Sequence, residues 1–371
     1  MSEQGLGAGA VGADADQAAV NADSTVAAAA IDAEPGAADS MFAVQYAEFG
    51  PPEVLTAGRA AQPHAEAGQV RIAVRAAGVA PVDLSIRSGR SPSASRLTLP
   101  HIPGMDAAGV VDEIGPGVQG VALGDEVFGS VDIAKLGGAS AEFAVLSFWA
   151  KKPAALPWAQ AGASGSSIET AARALDLLGI AEGTTLLIDG AAGGVGSAAV
   201  QLALARGARV IGTASPANQS YLASLGAEAL TYGPGLPARV ATLLGAADAD
   251  AAAAPAASAQ PGTIDRALHV SGADALPELI ALTGSPDAVV TLSDFTGPSL
   301  GVRVSVGEIG GEADGRHGLA TAAALATQGR FHVRIERVLP FEQAAEAHAA
   351  VAAHSPRSGK IVLVVPGEPL R

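Results

Sequence analysis

The chain has 371 residues and is 49% apolar but only 4% aromatic. That length allows two domains with sizeable cores, and no apolar run approaches the roughly 18 residues a membrane-spanning helix needs. A net charge of −15 argues against nucleic acid and anionic membranes as partners, and the lack of cysteine excludes disulfides and thiolate zinc sites.

Residues 1–40 are rich in Ala, Gly, Asp and Ser, and the first basic residue is Arg59. Such a segment buries too little apolar surface to offset the entropy of ordering, so it is expected to be a disordered extension, with the fold beginning at Met41. It has neither the basic n-region of a secretory leader nor the arginines of a mitochondrial presequence, so a soluble cytoplasmic protein is expected. Short apolar runs separated by glycine and proline follow. Val70–Ala76, Ala107–Ile114 and Glu126–Gly129 are expected as strands of a β-rich domain.

From about Gly162 the pattern changes to alternating strands and helices. Strands are expected at Thr185–Ile188, Arg209–Gly212, Asp265–Val270 and Ala288–Leu292, with helices at Val195–Ala205 and Asn218–Leu225. This alternation predicts a doubly wound parallel sheet. Residues 245–262 read as a loop insertion. A helix near Leu319–Gln328, an extended stretch Phe331–Leu339, a helix Glu342–Ala353 and a strand Ile361–Val365 complete the chain. They are expected to return it to the first domain.

The strongest local signal is Leu186-Leu187-Ile188-Asp189-Gly190-Ala191-Ala192-Gly193-Gly194-Val195-Gly196. An apolar strand runs into a glycine-rich turn that opens a helix, as a dinucleotide diphosphate requires. Ala191 and Gly193 are expected to permit the tight turn and close approach of backbone to phosphate. Gly196 is expected to let helix pack on strand, and the helix N-terminus, with Gly194 and Val195, to offer free N–H groups. The second strand, through Gly212 to Ser215, ends without the carboxylate that would hold a ribose 2′-hydroxyl. That permits NADPH, which is favoured over NADH although no Lys or Arg lies between Val210 and Ala238. Ser215, Asn218 and Tyr232 are neutral donors available there, and Arg357 is a cation that the C-terminal segment can bring. Ser271, Leu292 and Phe295 follow later strands, at the strand ends where ligands bind. Phe295 fits a domain-interface core equally well.

Several further stretches carry a family resemblance: Gly78-Val79-Ala80-Pro81-Val82-Asp83, Ile86-Arg87-Ser88-Gly89, Pro103-Gly104-Met105-Asp106-Ala107-Ala108-Gly109, Gly124-Asp125-Glu126-Val127-Phe128-Gly129 and Ser358-Gly359-Lys360-Ile361-Val362-Leu363. Over residues 41–371 the chain resembles the zinc-independent, quinone-oxidoreductase-like branch of the medium-chain dehydrogenase/reductase superfamily. The resemblance implies an α/β protein with a GroES-like β-rich catalytic domain, split in sequence (41–163 and 299–371), around a Rossmann domain (164–298). It also implies NADP(H), an active site in the cleft between the domains, and a homodimer or homotetramer.

In the zinc-dependent branch of that family a Cys stands at the position of Ala80, a His at Met105 and a further Cys near Ser166. None is present here, and the seven histidines are scattered, so no metal is expected. Without zinc, hydride addition to a quinone or α,β-unsaturated carbonyl is the expected chemistry, because charge then spreads onto an enolate or phenolate oxygen. An enoyl-thioester reductase and a non-catalytic NADPH-binding protein are the alternatives. The family's Asn and Tyr or Lys are replaced by Ala80 and Ser85, which leaves the proton donor open. Asp83, Arg87 and Ser166 are the candidates, with His101 and Thr170 nearby; for each a structural role is the competing expectation, for Asp83 and Arg87 a structural ion pair in that loop.

Overall fold

The structure, a computed structural model, describes residues 39–132, 137–251, 263–272, 274–353 and 359–365. The expected N-terminal extension up to residue 38, residues 252–262 of the expected insertion, and Arg357 lie outside these. Residues 245–251 are not loop, because the helix Leu236–Ala251 runs through them.

Alternation sets the first sheet. In β3 (Val70–Val79) Val70, Ile72 and Val74 are buried while Arg71, Ala73 and Arg75 are half-exposed. From Ala76 onward both faces are covered. Strands β14 (Ile335–Pro340), β15 (Lys360–Val364), β3, β4 (Asp106–Ile114), β5 (Glu126–Ser130) and β7 (Phe148–Lys151) follow one another across the sheet, with β6 (Phe143–Leu146) also on β3. A hairpin of β1 (Ser40–Gln45) and β2 (Thr56–Ala61) flanks it. Helix α1 (Pro81–Arg87) starts directly after β3, with proline at its first position, where a missing N–H costs nothing.

The second sheet is wholly parallel, in the order β10 (Glu228–Thr231), β9 (Arg209–Ala214), β8 (Thr185–Asp189), β11 (Arg266–His269), β12 (Val289–Thr291) and β13 (Arg303–Val304). Helices α2 (Trp158–Gly162) and α3 (Gly165–Leu177) lead into it; α4 (Gly194–Ala205), α5 (Gln219–Ser224), α6 (Leu236–Ala251) and α7 (Leu276–Thr283) connect its strands, and α8 (His317–Thr327) follows β13. Helix α9 (Ala344–Ala352) lies between β14 and β15.

Small residues join the two halves. A Cβ on Gly162 would stand 2.4 Å from the Ala76 carbonyl oxygen, and one on Gly165 would stand 2.2 Å from that of Gly129. Backbone therefore packs on backbone, and one continuous core runs from Ala76, Ala108 and Phe128 through Ile168 to Leu186 and Leu319. This is where the alanine- and glycine-rich composition is used.

Two expectations are corrected here. The division at 298/299 comes too early, because β13 extends the parallel sheet past it and α8 packs on α3. The chain returns to the first sheet only between Thr327 and Ile335. Within the expected extended stretch 331–339, strand begins at Ile335. Residues 331–334 instead form a strap along α4, where Gln201 bonds both the N–H (2.9 Å) and the carbonyl (3.1 Å) of His332, and Gln160 accepts from the Val333 N–H at 2.9 Å.

The loop between β13 and α8 is pinned by charge. The Arg173 Nη1 of α3 donates to Glu312 at 3.0 Å, and Glu312 also accepts from the Gly307 N–H at 2.8 Å and the Ser305 hydroxyl at 2.8 Å. Burial pushes the Glu312 carboxyl up, but these bonds and Arg173 outweigh it and hold it below the usual range. Glu312→Gln is expected to destabilise by about 3 kcal/mol, the low end for a broken buried pair because Glu169 stays on Arg173. The expected readout is a lower thermal midpoint above pH 5, with a gap that narrows as pH falls, since a depressed carboxylate contributes only while ionised.

Candidate functional site

Strand β8 ends at Asp189, and Gly190 takes φ +86° to turn the chain toward α4. A Cβ on Gly190 would lie 2.7 Å from the Ser271 nitrogen. Gly190, not Ala191, is thus the turn residue. Ala191 is fully buried, and Gly212 is buried against it: a Cβ on Gly212 would come within 2.8 Å of the Ala191 methyl. Neither reaches solvent, so both support the loop from beneath rather than touching a ligand. Gly193 is exposed and caps α4, while Gly194 and Val195 are half-buried in its first turn. Gly196 is required for close packing, since a Cβ there would lie 2.4 Å from the Gly190 carbonyl oxygen. The opening N–H groups of this 12-residue helix have no helical acceptors, and no side chain caps them. The cradle fits a dinucleotide diphosphate.

A buried polar chain runs under the strand ends and holds this loop. Asp189 accepts from the Thr213 hydroxyl at 2.6 Å and from Ser271, and Thr213 accepts the Gly190 N–H at 3.1 Å. His269, fully buried, has Nε2 3.8 Å from Asp189 and Nδ1 2.9 Å from the Thr291 hydroxyl. Ser271 is thus fixed to the strand ends; Leu292 follows them, its N–H on the His269 carbonyl at 2.9 Å. A carboxylate and an imidazole inside apolar strands were the available signal for this chain, which sequence reasoning did not use.

A small cavity lies between α3, α4 and the strap. It is lined by Ser164, Ser167, Gly194, Ser197, Phe331 and Val333 among others, and has room for about one water molecule. Lys360 of β15 enters here: its Nζ lies 3.5 Å from the Ser167 hydroxyl and 3.5 Å from where a Gly194 Cβ would stand. Its charge also acts on two buried carboxyls, Asp83 and Asp106. Asp106 accepts both the N–H (2.6 Å) and the hydroxyl (2.8 Å) of Ser166. Burial pushes the Asp106 carboxyl up, while Lys360 and Ser166 pull it down. Asp83 is 1% exposed; one oxygen accepts the Ala80 N–H at 2.8 Å, and the other makes no further hydrogen bond of full geometry, although the Met105 N–H also acts on the carboxyl. Burial, reinforced by Asp106, pushes Asp83 up to about 7 against the opposing pull of the Ala80 N–H and Lys360.

Other candidates stand apart. Arg87 does not pair with Asp83; its guanidinium is buried on the Gly50 carbonyl (3.2 Å) and His348 Nδ1 (3.1 Å), inside the first domain. The Ser166 hydroxyl is occupied by Asp106. Thr170 bonds Glu169 at 3.2 Å. His101 is buried edge-on to Tyr46 and lowered to about 4 by burial, so it is a neutral structural residue. Phe295 is 72% exposed, which rules out a core role, and Tyr232 is 55% exposed beside the end of β9. Ala80 and Met105 carry no zinc-ligating side chain, and among the described residues no three His, Asp or Glu are grouped to hold a metal. The residues present do not fit a catalytic zinc.

Comparison with known proteins agrees with this architecture. Residues 66–152 match the alcohol dehydrogenase GroES-like domain, and 244–363 match the family described as zinc-binding dehydrogenase. A solved alcohol dehydrogenase superfamily protein from Novosphingobium aromaticivorans is 30% identical with a TM-score of 0.73, covering 88% of this chain and 99% of that one. The chain belongs to the medium-chain dehydrogenase/reductase superfamily. Quinone oxidoreductases are among the relatives it resembles. The quinone oxidoreductase of Coxiella burnetii is 26% identical at TM-score 0.69, covering 88% of this chain and 99% of that one. A 2-methylene-furan-3-one reductase of Solanum lycopersicum is 36% identical over 219 residues, 56% of each chain. The quinone oxidoreductase of Rattus norvegicus is 40% identical over 178 residues, 47% of this chain and 53% of that one. The aligned segments therefore span about half the length of these curated relatives. Among the described residues no helix of this superfamily member is long and apolar enough to cross a membrane.

Proposed function

We propose that this chain is an NADPH-dependent oxidoreductase that reduces a quinone or α,β-unsaturated carbonyl without a metal. The observation that carries the reading is the set of residues around the glycine loop. A diphosphate cradle opens beside Lys360, whose charge acts on the buried acid Asp83, while Ala80 and Met105 stand where zinc ligands would be needed. Relatives that are a quinone oxidoreductase and a furanone reductase support the substrate class. A homodimer or homotetramer belongs to the same reading.

A bound reduced nicotinamide supplies the hydride. The first turn of α4 and Lys360 hold diphosphate charge, and the polar chain from Thr213 to Thr291 keeps the loop in place. Reduction of a conjugated carbonyl leaves negative charge on its oxygen, so the product needs one proton. Asp83 is buried but carries a proton near neutral pH, and the charge of Lys360 stabilises the carboxylate that its loss leaves.

The deciding experiment follows NADPH and NADH oxidation by the purified chain with a benzoquinone, a naphthoquinone, an enal, an enone and a crotonyl thioester, each with and without chelator. NADPH-selective turnover on quinones or enones that chelator leaves unchanged is expected. Turnover confined to the thioester would reassign the substrate class. Chelator-sensitive ketone reduction would overturn the metal-free reading, and tight NADPH binding with no turnover would overturn the enzyme reading. Lys360→Met is expected to weaken cofactor about tenfold, about 1.4 kcal/mol, and to flatten the salt dependence of binding, read by quenching of protein fluorescence.

A further inference from the structure

The end of β9 lacks a carboxylate, yet the residues around it do not themselves supply the cation that a 2′-phosphate needs. Gln219 is turned inward, its Nε2 donating to the carbonyls of Ala214 (2.8 Å) and Leu230 (2.9 Å). Arg239 lies close by, but its guanidinium is occupied by backbone: Thr231 at 2.8 Å, Gly233 at 2.9 Å and Pro234 at 2.9 Å. Arg334 differs. It comes from the strap that runs along α4, and its Nη1 lies 3.3 Å from Asn218 Oδ1, three residues past Ser215. Its guanidinium carbon sits 5.1 Å from the centroid of the Tyr221 ring, and that ring stands edge-on to His332. Tyr221 is itself tied to Ser197 in the first turns of α4 and to the Arg334 backbone.

The guanidinium is thus held over an aromatic ring near the end of β9, with a single side-chain hydrogen bond, and no acidic side chain among the described residues pairs with it. In a chain of net charge −15 a half-buried arginine without an acidic partner is notable. Three residues before Asn218, the Ser215 Oγ is buried and has no hydrogen-bond partner among the described residues. A planar fork of unused N–H donors next to an orphaned hydroxyl is the donor set that a phosphate monoester recognises.

We propose that Arg334, reaching over from the strap that returns the chain to the first sheet, binds the 2′-phosphate of the cofactor's adenosine, with Ser215 as its hydroxyl partner, and so sets the preference for NADPH. This rests on the nicotinamide reading above and assigns it a residue. It also makes cofactor choice depend on a segment outside the parallel-sheet unit that carries the glycine loop.

The test measures binding of 2′,5′-ADP and 5′-AMP to the full chain by calorimetry, so that it does not depend on turnover. Wild-type protein is expected to bind 2′,5′-ADP at least tenfold more tightly than 5′-AMP. Arg334→Gln is expected to bring that ratio to within about twofold of one while leaving 5′-AMP affinity unchanged, which also shows that the variant is folded. Arg334→Lys is expected to restore part of the ratio, and Ser215→Ala to lower it less than Arg334→Gln does. If Arg334→Gln keeps the wild-type ratio, this assignment fails and the NADPH reading stands. If the wild-type ratio is itself near one, the NADPH reading fails and the assignment with it.

Discussion

Replacing Gly196 with valine is expected to raise the dissociation constant for the nicotinamide cofactor at least about 100-fold, a loss of about 2.8 kcal/mol. The β-carbon alone would stand 2.4 Å from the Gly190 carbonyl oxygen, 2.7 Å from Ala191 Cα and 2.9 Å from the Ala191 carbonyl carbon. All three neighbours are backbone, so no side chain can rotate away. Either α4 lifts off β8 or the turn moves outward into the space where the diphosphate binds. Ala191 cannot retreat, because it is packed on Gly212, and Gly190 cannot change its φ without breaking its bond to Thr213. Gly193→Ala gives the contrasting case. A Cβ there meets only the Gly190 oxygen, at 3.5 Å, so the fold is untouched and any loss of affinity comes from crowding the ligand. Fluorescence titration with NADPH, beside circular dichroism for folding, separates the two. Cofactor affinity within threefold of wild type for Gly196→Val would mean that the loop is not the binding site.

The glycine loop was legible because it is local. Strand, turn and helix follow one another within a dozen residues, and apolar periodicity marks both flanks. Which small residue does what was not legible. Ala191 and Gly190 are adjacent and similar in size, and only the sheet contact with Gly212 separates a support from a turn. The structural ion pairs expected for Asp83 and Arg87 do not form among the described residues. His348, 261 positions away, competes for the arginine, and the Ala80 N–H at the start of α1 takes the aspartate. Lys360 and Arg334 could not be placed beforehand for the same reason: each meets its partner through the return of the chain to the first sheet, and Arg334 lies 116 positions from Asn218. The expected boundary at 298/299 failed because β13 is only two residues long, too short to carry a strand pattern.

Asp83→Asn is expected to lower kcat about 100-fold, within the range typical for loss of a group that transfers a proton in the transition state, and to remove the pH dependence of turnover near neutrality. The wild-type carboxyl is raised from 3.8 to about 7, so it carries a proton at the pH where the reaction needs one. Turnover should fall as pH rises past about 7. Asparagine keeps the volume and an acceptor for the Ala80 N–H, so the geometry of α1 is preserved while the proton is lost. Stability gives an independent readout of the same group. A carboxyl whose folded pKa lies above its unfolded one binds its proton more tightly in the folded chain. Its contribution is therefore complete below about pH 4 and is lost as pH rises through about 7, on the order of 4 kcal/mol over that window. Asp83→Asn should abolish this slope, leaving the variant more stable than wild type at pH 8 and little different at pH 4. A purely structural role predicts the opposite, a variant less stable at every pH whose residual turnover still falls near pH 7. Wild-type-like kcat with the inflection intact would place the proton source elsewhere and leave Asp83 as the cap of α1. Loss of the inflection together with a gain in stability at high pH would join the buried carboxyl, the charge of Lys360 and the proton demand of the reduced carbonyl into one mechanism.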